Sequence, residues 1–207
     1  MLSPANLGGE RARLIFNPAA TFPLARQLHS VEGAPLGEVF SFVSGLYFRG
    51  KMTYAQAFGK MPEGLSGALV ISPAEGLRFL HEPVTVERLR TWATVDIDER
   101  NPRFTRPLLA HAQALRDALG NSTRFVLLGS VATDKYVEPL TRVFGDRLLF
   151  PPGFAGRGDM SRGALLLRSA RAGNELDYAP IGGSERHKPR APARPNTAPD
   201  TAAEGSS

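Results

Sequence analysis

The stretch FVLLGSVATDKY, residues 125–136, is the clearest guide to the fold in this sequence. Its apolar run Phe125–Leu128 has no polar interruption, which is typical of strands that are covered on both faces. Gly129 and Ser130 then end the run, and a helix-like pattern continues from there to Phe144. The stretch therefore predicts a buried strand, a polar loop and a helix in succession.

The same order of a short apolar run and a helix-like segment recurs on both sides of this stretch. Such alternation is typical of α/β domains, because parallel strands need a crossover connection, which is usually a helix. We therefore expect one α/β domain over residues 1–183, with a mostly parallel, Rossmann-like sheet flanked by helices. The predicted strands are Arg13–Phe16, Val39–Val43, Ala68–Ile71, Thr94–Ile97, Phe125–Leu128, Arg147–Phe150 and Leu176–Pro180.

Capping and stop signals mark the predicted helices. The segment Ser72–Glu75 has the pattern of a helix start, with a serine that can cap, a proline in the first turn and a glutamate three residues after the serine. Residues 45–60 fit either a helix from about Met52 or a hairpin with the preceding strand. The other predicted helices are Val86–Thr91 after Thr85, Arg106–Leu119 before Gly120, and Met160–Ala172 before Gly173.

The last 24 residues, 184–207, contain no Leu, Ile, Val or aromatic residue. A segment of this composition buries too little apolar surface to offset the entropy of ordering. We therefore predict a disordered tail. Its basic start fits contact with an anionic surface, but its composition favours a solvated linker.

Composition excludes several chemistries. The 207 residues include no Cys, so disulfides, Cys-ligated zinc, iron–sulfur clusters and thiol nucleophiles are excluded. No window approaches the length of a membrane span, and the first residues lack the order of a signal peptide, so we expect a cytoplasmic protein. The net charge of +5 allows an anionic small molecule or a nucleic acid as partner. Oligomeric state is left open.

Candidate site residues follow the predicted strands, because ligands of open α/β sheets bind outside the carboxyl ends of the strands. Three polar, glycine-containing segments stand there, at residues 44–51, 129–136 and 156–163. The predicted ligand-binding residues are Ser44, Arg49, Lys51, Ser72, Gly129, Ser130, Thr133, Lys135, Gly156, Arg157, Ser161 and Arg162.

The segment GRGDMSRG, residues 156–163, is the strongest of the three. Its glycines permit a close backbone approach, and its arginines and serine supply donors for a phosphate or carboxylate. The alternative is that Asp159 or Ser161 caps a helix beside an irregular loop. In the first segment, Tyr47 with Arg49 and Lys51 fits a ring and an anion, unless Tyr47 belongs to the core.

The predicted acid–base residues are Glu75, Asp159 and Tyr47, with Asp98 also near this edge. Glu75 has an alternative role in closing a cap with Ser72. The four histidines, His29, His81, His111 and His187, form no triad or zinc pattern. We therefore expect no dedicated cofactor or metal, although Mg²⁺ held through a carboxylate and a ligand phosphate fits the sequence.

These observations favour an enzyme, a hydrolase or group transferase, that acts on a nucleotide, a nucleoside or another phosphorylated small molecule. Redox chemistry is disfavoured because no dinucleotide fingerprint is present. One alternative is a non-enzymatic nucleic-acid-binding module that uses the basic residues together with Tyr47 and Phe48. Another is a partner-binding protein without a small ligand.

Overall fold

A computed structural model describes residues 1–61 and 67–181, so the predicted tail lies outside the described residues. No helix within these ranges is long and apolar enough to cross a membrane. The helices are α1 (Glu10–Phe16), α2 (Pro23–Leu28), α3 (Leu36–Ser44), α4 (Leu46–Phe58), α5 (Val86–Ala93), α6 (Pro102–Leu119), α7 (Asp134–Phe144) and α8 (Asp159–Ala172). The strands are β1 (Ala34–Pro35), β2 (Leu69–Ser72), β3 (Gly76–Phe79), β4 (Pro83–Val84), β5 (Phe125–Val126), β6 (Leu148–Phe150) and β7 (Ala179–Pro180).

The prediction of a mostly parallel, Rossmann-like sheet is wrong. The described residues have mixed α and β content, but about 53% of them are helical, and the strands are short. Strands β1 and β4 pair antiparallel, as do β2 and β3, and β5, β6 and β7 form a mixed sheet of three strands.

Two of the predicted strands are helical because their apolar residues lie at helical spacing. The predicted strand Val39–Val43 lies within α3, where Leu36, Val39 and Phe40 are buried on one side. The predicted strand Arg13–Phe16 lies within α1. A short apolar run alone does not distinguish a buried strand from the buried face of a helix. The predicted strand Thr94–Ile97 is a turn and a coil segment that follows α5.

The predicted helix start at Ser72–Glu75 is instead the tight turn between β2 and β3. Ser72 Oγ accepts a hydrogen bond from the Glu75 amide at 2.8 Å, which is the bond expected of a helix cap. The chain then reverses direction, and β3 begins at Gly76, whose positive φ of 70° suits glycine. A serine can satisfy an amide three residues later in either structure, so the cap pattern did not separate the two.

The other helix predictions are closer to the structure. Thr85 caps α5 by accepting from the Arg88 amide, and α6 and α8 begin four and one residues before their predicted starts. Residues 45–60 are helical rather than a hairpin, with α4 beginning at Leu46.

The N-terminal segment links two of the small sheets. The Leu2 amide donates to Leu69 O at 2.7 Å, and Ile71 N donates to Leu2 O at 2.9 Å. On the other side, Ser3 N donates to Leu128 O at 3.1 Å. Both bridges of Leu2, to Val70 and Leu128, are parallel.

Successive side chains of these central segments point to opposite faces, and a separate core lies on each face. Leu2, Val70 and Leu128 face a cluster of buried residues that includes Phe48 and Trp92. The neighbouring positions Leu69, Ile71 and Leu127 face a second cluster with Phe104 and Leu140. Because successive side chains of an extended chain point to opposite faces, each short segment contributes to both cores.

Helices α4 and α8 pack closely through two glycines, Gly50 and Gly163. A Cβ added to Gly50 would lie 2.6 Å from Gly163 O, and one added to Gly163 would lie 2.8 Å from Leu46 O. These distances are too short for a side chain, so the two glycines set the separation of the helices. The contact brings residues 44–51 and 156–163 together.

We expect Gly50→Ala to lower the free energy of unfolding by about 1 to 3 kcal/mol, because overpacking outweighs the better helix propensity of alanine. Chemical denaturation measures the change. The matched control is Gly153→Ala, where an added Cβ meets only Leu165 Cδ2 at 3.7 Å, and there we expect a change within about 0.5 kcal/mol. Equal stability of the Gly50→Ala variant and the unmodified protein would contradict a glycine-limited helix contact.

Candidate functional site

The three polar segments of the sequence converge around Lys51, in a cluster that we call the Lys51 cluster: Ser3, Tyr47, Lys51, Gly129, Tyr136, Asp159 and Arg162. Residues 44–51 and 156–163 meet through the α4–α8 contact. The segment 129–136 joins them because Gly129 packs against Ser3 and because Tyr136 lies within electrostatic range of Tyr47. Five of the seven members, all except Ser3 and Tyr136, are predicted site residues.

Lys51 lies in the interior, with 1% of its surface exposed. Its Nζ donates to the backbone O of Ser3 at 2.6 Å and to Ser3 Oγ at 2.9 Å. The same atom lies 4.4 Å from the centre of the Tyr47 ring and 4.9 Å from that of Phe48. Within the part of the chain that the structure describes, no carboxylate forms an ion pair with it.

The environment of Lys51 favours its neutral amine over its ammonium form. Burial lowers the pKa of Lys51 to about 7, because an ammonium ion loses its hydration in the interior, and the charge of Asp159 opposes this shift. Ring faces offset part of the cost through their quadrupoles. Lys51 therefore changes its protonation state near neutral pH.

Tyr47 carries a buried hydroxyl that forms no hydrogen bond of ordinary geometry among the described residues, although Arg162 lies near it. Burial raises the pKa of Tyr47, and Arg162 opposes this effect through its charge and its hydrogen-bonding groups. A buried polar group without a partner is uncommon in proteins and is a reason to look for a ligand. Tyr47 and Lys51 lie one helical turn apart on α4, so both present their polar groups to the same region.

Arg162 and Asp159 bring opposite charges to this region from the first turn of α8. Arg162 Nε donates to Phe154 O at 3.2 Å, and its guanidinium lies 5.7 Å from the centre of the Phe154 ring. Asp159 Oδ1 lies 3.7 Å from Arg162 Nη1. Asp159 is exposed, whereas the Arg162 side chain keeps 17% of its surface exposed.

Ser3 is a member of the cluster that sequence reasoning missed. It lies at the end of the parallel segment that begins the chain, beside Leu128 and the loop that follows it. An added Cβ on Gly129 would lie 2.9 Å from Ser3 Cβ and 3.1 Å from Ser3 Oγ, so only glycine allows this approach. The signal available in the sequence was the apolar pair Met1–Leu2 before Ser3, which is too short to indicate a strand.

Glu75 is held in a separate ion-pair network and not in the Lys51 cluster. Trp92 Nε1 donates to Glu75 Oε1 at 2.8 Å, and Arg88 donates to both carboxylate oxygens. Arg88 also reaches Glu82 at 2.6 Å, and Arg78 lies 3.2 Å from Glu75. Hydrogen bonds from Arg88 lower the pKa of Glu75, which keeps the carboxylate ionised. Its oxygens are engaged in hydrogen bonds with Arg88 and Trp92.

The remaining predicted residues have local or exposed roles. Arg157 donates to Gly153 O at 2.8 Å and to Ser161 Oγ at 3.0 Å. Ser130 Oγ accepts from Ala132 N, and Ser72 is fully buried in its turn. Ser44 ends α3, Arg49 and Gly156 are exposed, Thr133 precedes α7 without a side-chain cap bond, Lys135 lies over the Tyr136 ring, and Asp98 pairs with Arg100.

No described residues form a group of three or more His, Asp or Glu side chains that is able to hold a metal ion. Mg²⁺ held through a carboxylate and a ligand phosphate stays a prediction from the sequence, which assigns it to no particular residue.

A cavity of about 670 Å³ is lined by none of the residues of the Lys51 cluster. It is lined by Tyr54, Phe58 and Tyr178 among others, and by none of the predicted site residues. Its tyrosine hydroxyls are paired with each other at 2.6 Å, and Tyr178 also donates to Glu175. The hydroxyls of these two tyrosines are therefore satisfied within the protein.

Comparisons with models of protein families, with curated proteins and with solved structures find no match to this chain.

We expect the stability of the protein to depend on pH through Lys51. Unfolded lysine keeps its proton to about pH 10.4, whereas the folded protein releases it near pH 7. The unfolded state therefore binds more protons between these values, and the free energy of unfolding rises with pH by up to about 1.4 kcal/mol per pH unit. Denaturation from about pH 6 to 9 should show this rise relative to Lys51→Met, which lacks the titrating group.

Tyr47, Tyr136, Asp159, Arg162 and the α-amine of Met1 lie in electrostatic range of this region and are present in both proteins. The pKa of the Met1 amine is lowered to about 5, mainly by burial, and this main part of its contribution cancels with those of the other groups; the smaller part that comes from the charge of Lys51 does not. Stability curves that run parallel for Lys51→Met and the unmodified protein would contradict the burial-lowered pKa.

We expect Glu75→Gln to lower the free energy of unfolding by about 1 to 3 kcal/mol, because Arg88 and Trp92 lose a charged acceptor. Since the pKa of Glu75 is lowered in the folded state, its contribution is present above the unfolded pKa and is lost as pH falls through the folded pKa. Denaturation at pH 7 measures the change, with the exposed Glu87→Gln as control. An unchanged stability would show that the network contributes nothing net.

Proposed function

We propose that the protein is an enzyme, a hydrolase or group transferase, that acts on a nucleotide, a nucleoside or another phosphorylated small molecule bound at the Lys51 cluster. The observation that carries this proposal is the buried Lys51, which forms no ion pair with a carboxylate among the described residues. It stands beside the unpartnered hydroxyl of Tyr47.

An anionic ligand would supply the opposite charge that Lys51 lacks among the described residues. A buried ammonium ion without an opposite charge is costly, and an anion placed beside it offsets that cost. The Tyr47 hydroxyl supplies one hydrogen-bond donor, and the Arg162 guanidinium adds a second positive charge from the facing helix. Phosphate suits this donor set because arginine matches its oxygen geometry.

A small molecule fits these residues better than a nucleic acid. Stacking on bases requires exposed rings, but Tyr47 is 6% exposed and Phe48 is fully buried. Lys51 is buried as well, which leaves Arg49 and Arg157 as the exposed basic residues of the motif segments. Two exposed arginines do not make the extended basic surface that phosphate backbones favour.

Thermal unfolding of the full chain with ADP, ribose 5-phosphate or inorganic phosphate tests the proposal. A ligand at 100 times its dissociation constant adds about 2.7 kcal/mol of stability. We expect at least one of the three probes to stabilise the protein in both low and high salt, and Arg162→Gln to abolish this shift. Arg168→Gln is the matched control, because Arg168 is an exposed arginine on the same helix.

A shift that Arg162→Gln leaves unchanged would place the anion elsewhere. Absence of any shift with all three probes would refute anion binding at this cluster and favour a protein partner instead.

A further inference from the structure

A serine hydroxyl and a buried amine meet in the Lys51 cluster. Ser3 Oγ and Lys51 Nζ are 2.9 Å apart, which is hydrogen-bond distance. This is the arrangement that a serine nucleophile needs, because its hydroxyl is weakly reactive until a neighbouring base accepts its proton. The second contact of Nζ, with Ser3 O at 2.6 Å, fixes the amine beside the same residue.

Lysine serves as the base of such a pair only when its environment favours the neutral amine. The cluster provides that environment through burial and through the absence of an ion-paired carboxylate within the described ranges, while the rings of Tyr47 and Phe48 offset only part of the cost of a charge. The burial-lowered pKa of Lys51 agrees with this geometry. Serine–lysine pairs are an established variant of serine catalysis.

We propose that Ser3 and Lys51 form a nucleophile–base pair that hydrolyses an ester bond of the anionic substrate. The anionic character of that substrate rests on the function proposed above. As a substrate of this pair, it would place its anionic group at Arg162, because an anion directly beside Lys51 would favour the ammonium form. The chemistry of the pair itself rests on the Ser3–Lys51 geometry.

The reaction divides into two balanced steps. Ser3 Oγ attacks the acyl carbon and gives its proton to Lys51 Nζ; the ester bond then breaks, and the leaving alcohol takes that proton. In the second step, water attacks the acyl group on Ser3 and gives a proton to Lys51. Cleavage of the acyl–serine bond releases the acid, and the proton returns to Ser3 Oγ.

The loop after Leu128 offers donors for the oxyanion that forms in each step. Gly129 approaches Ser3 so closely that a Cβ would lie 3.1 Å from Oγ. Among the described residues, no acceptor is bonded to the amides of Gly129, Ser130 or Val131. Free backbone amides beside a nucleophile are the usual source of oxyanion stabilisation.

A lysine that served only to hold the N-terminal segment would use both the carbonyl and the hydroxyl of Ser3 as acceptors for its N–H groups, so these two contacts fit either role. The roles differ in what they require of residue 51, because a structural role needs a hydrogen-bond donor whereas a base needs a titratable amine. Arginine donates hydrogen bonds but stays protonated.

A neutral fluorophosphonate probe tests the pair, because it reacts with activated serines and has no anionic group for which the site would be selective. The full chain is incubated with the probe from pH 6 to 9, and the adduct is mapped by mass spectrometry. We expect one adduct per chain, on Ser3 in the tryptic peptide 1–11. The labelling rate should rise about tenfold from pH 6 to 8 as Lys51 loses its proton.

The variants separate catalysis from structure. We expect Lys51→Met and Lys51→Arg each to slow labelling at least about 100-fold, and Gly129→Ala to slow it by displacing the Ser3 hydroxyl. Ser169→Ala, in the C-terminal half of α8, is the control, and we expect it to be labelled at the rate of the unmodified protein. Circular dichroism confirms that each variant folds; the mapping and the pH profile of the unmodified protein need no variant.

A folded protein whose Ser3 stays unlabelled would overturn the pair, as would a labelling rate that is independent of both pH and Lys51→Arg. If Ser3 stays unlabelled while phosphate probes still stabilise the protein, the nucleophile fails and the proposed anion site stands. If Ser3 is labelled and no phosphate probe binds, the pair stands with an uncharged ester as its substrate class.

Discussion

The backbone hydrogen bonds of the segment Met1–Ser3 are the constraint on which the rest of the structure depends. They attach the segment to the β2–β3 hairpin through Leu69 and Ile71, and to the three-stranded sheet through Leu128. Each of these strands is too short to form a stable sheet alone. By joining them, the segment creates a central layer with a core on each side and places Ser3 at its edge.

Placing Lys51 beside Ser3 has an energetic cost that the fold must offset elsewhere. Lys51 loses its hydration, and two acceptors on Ser3 with two ring faces return only part of the lost free energy. A buried apolar side chain of similar length would avoid this cost. Residues that reduce stability in this way are concentrated at functional sites, so the cost itself supports a role for Lys51 in binding or chemistry.

Local signals predicted some elements correctly and failed at Ser72–Glu75, where the cap pattern belongs to a turn. Thr85 has the cap bond expected of it, and α6 has the amphipathic spacing that predicted most of it. The fold class failed because it required assigning short apolar runs such as Val39–Val43, whose spacing fits a strand and a helix equally well. Burial against the rest of the chain decides between them, and that information is not local.

The candidate site was predictable in part for a physical reason that survives the wrong fold class. Glycines that permit close approach are visible in a sequence, and Gly50, Gly129 and Gly163 do bring backbone segments together here. The approach of Gly129 to Ser3 has no sequence signature, because residue 3 is remote in the chain and stands in no recognisable motif. A nucleophile that is positioned by long-range backbone pairing, and not by a local turn, becomes visible only once the pairing is known. The exclusion of a histidine triad from the sequence therefore left serine chemistry open, since the partner of Ser3 is a lysine whose reactivity comes from its burial.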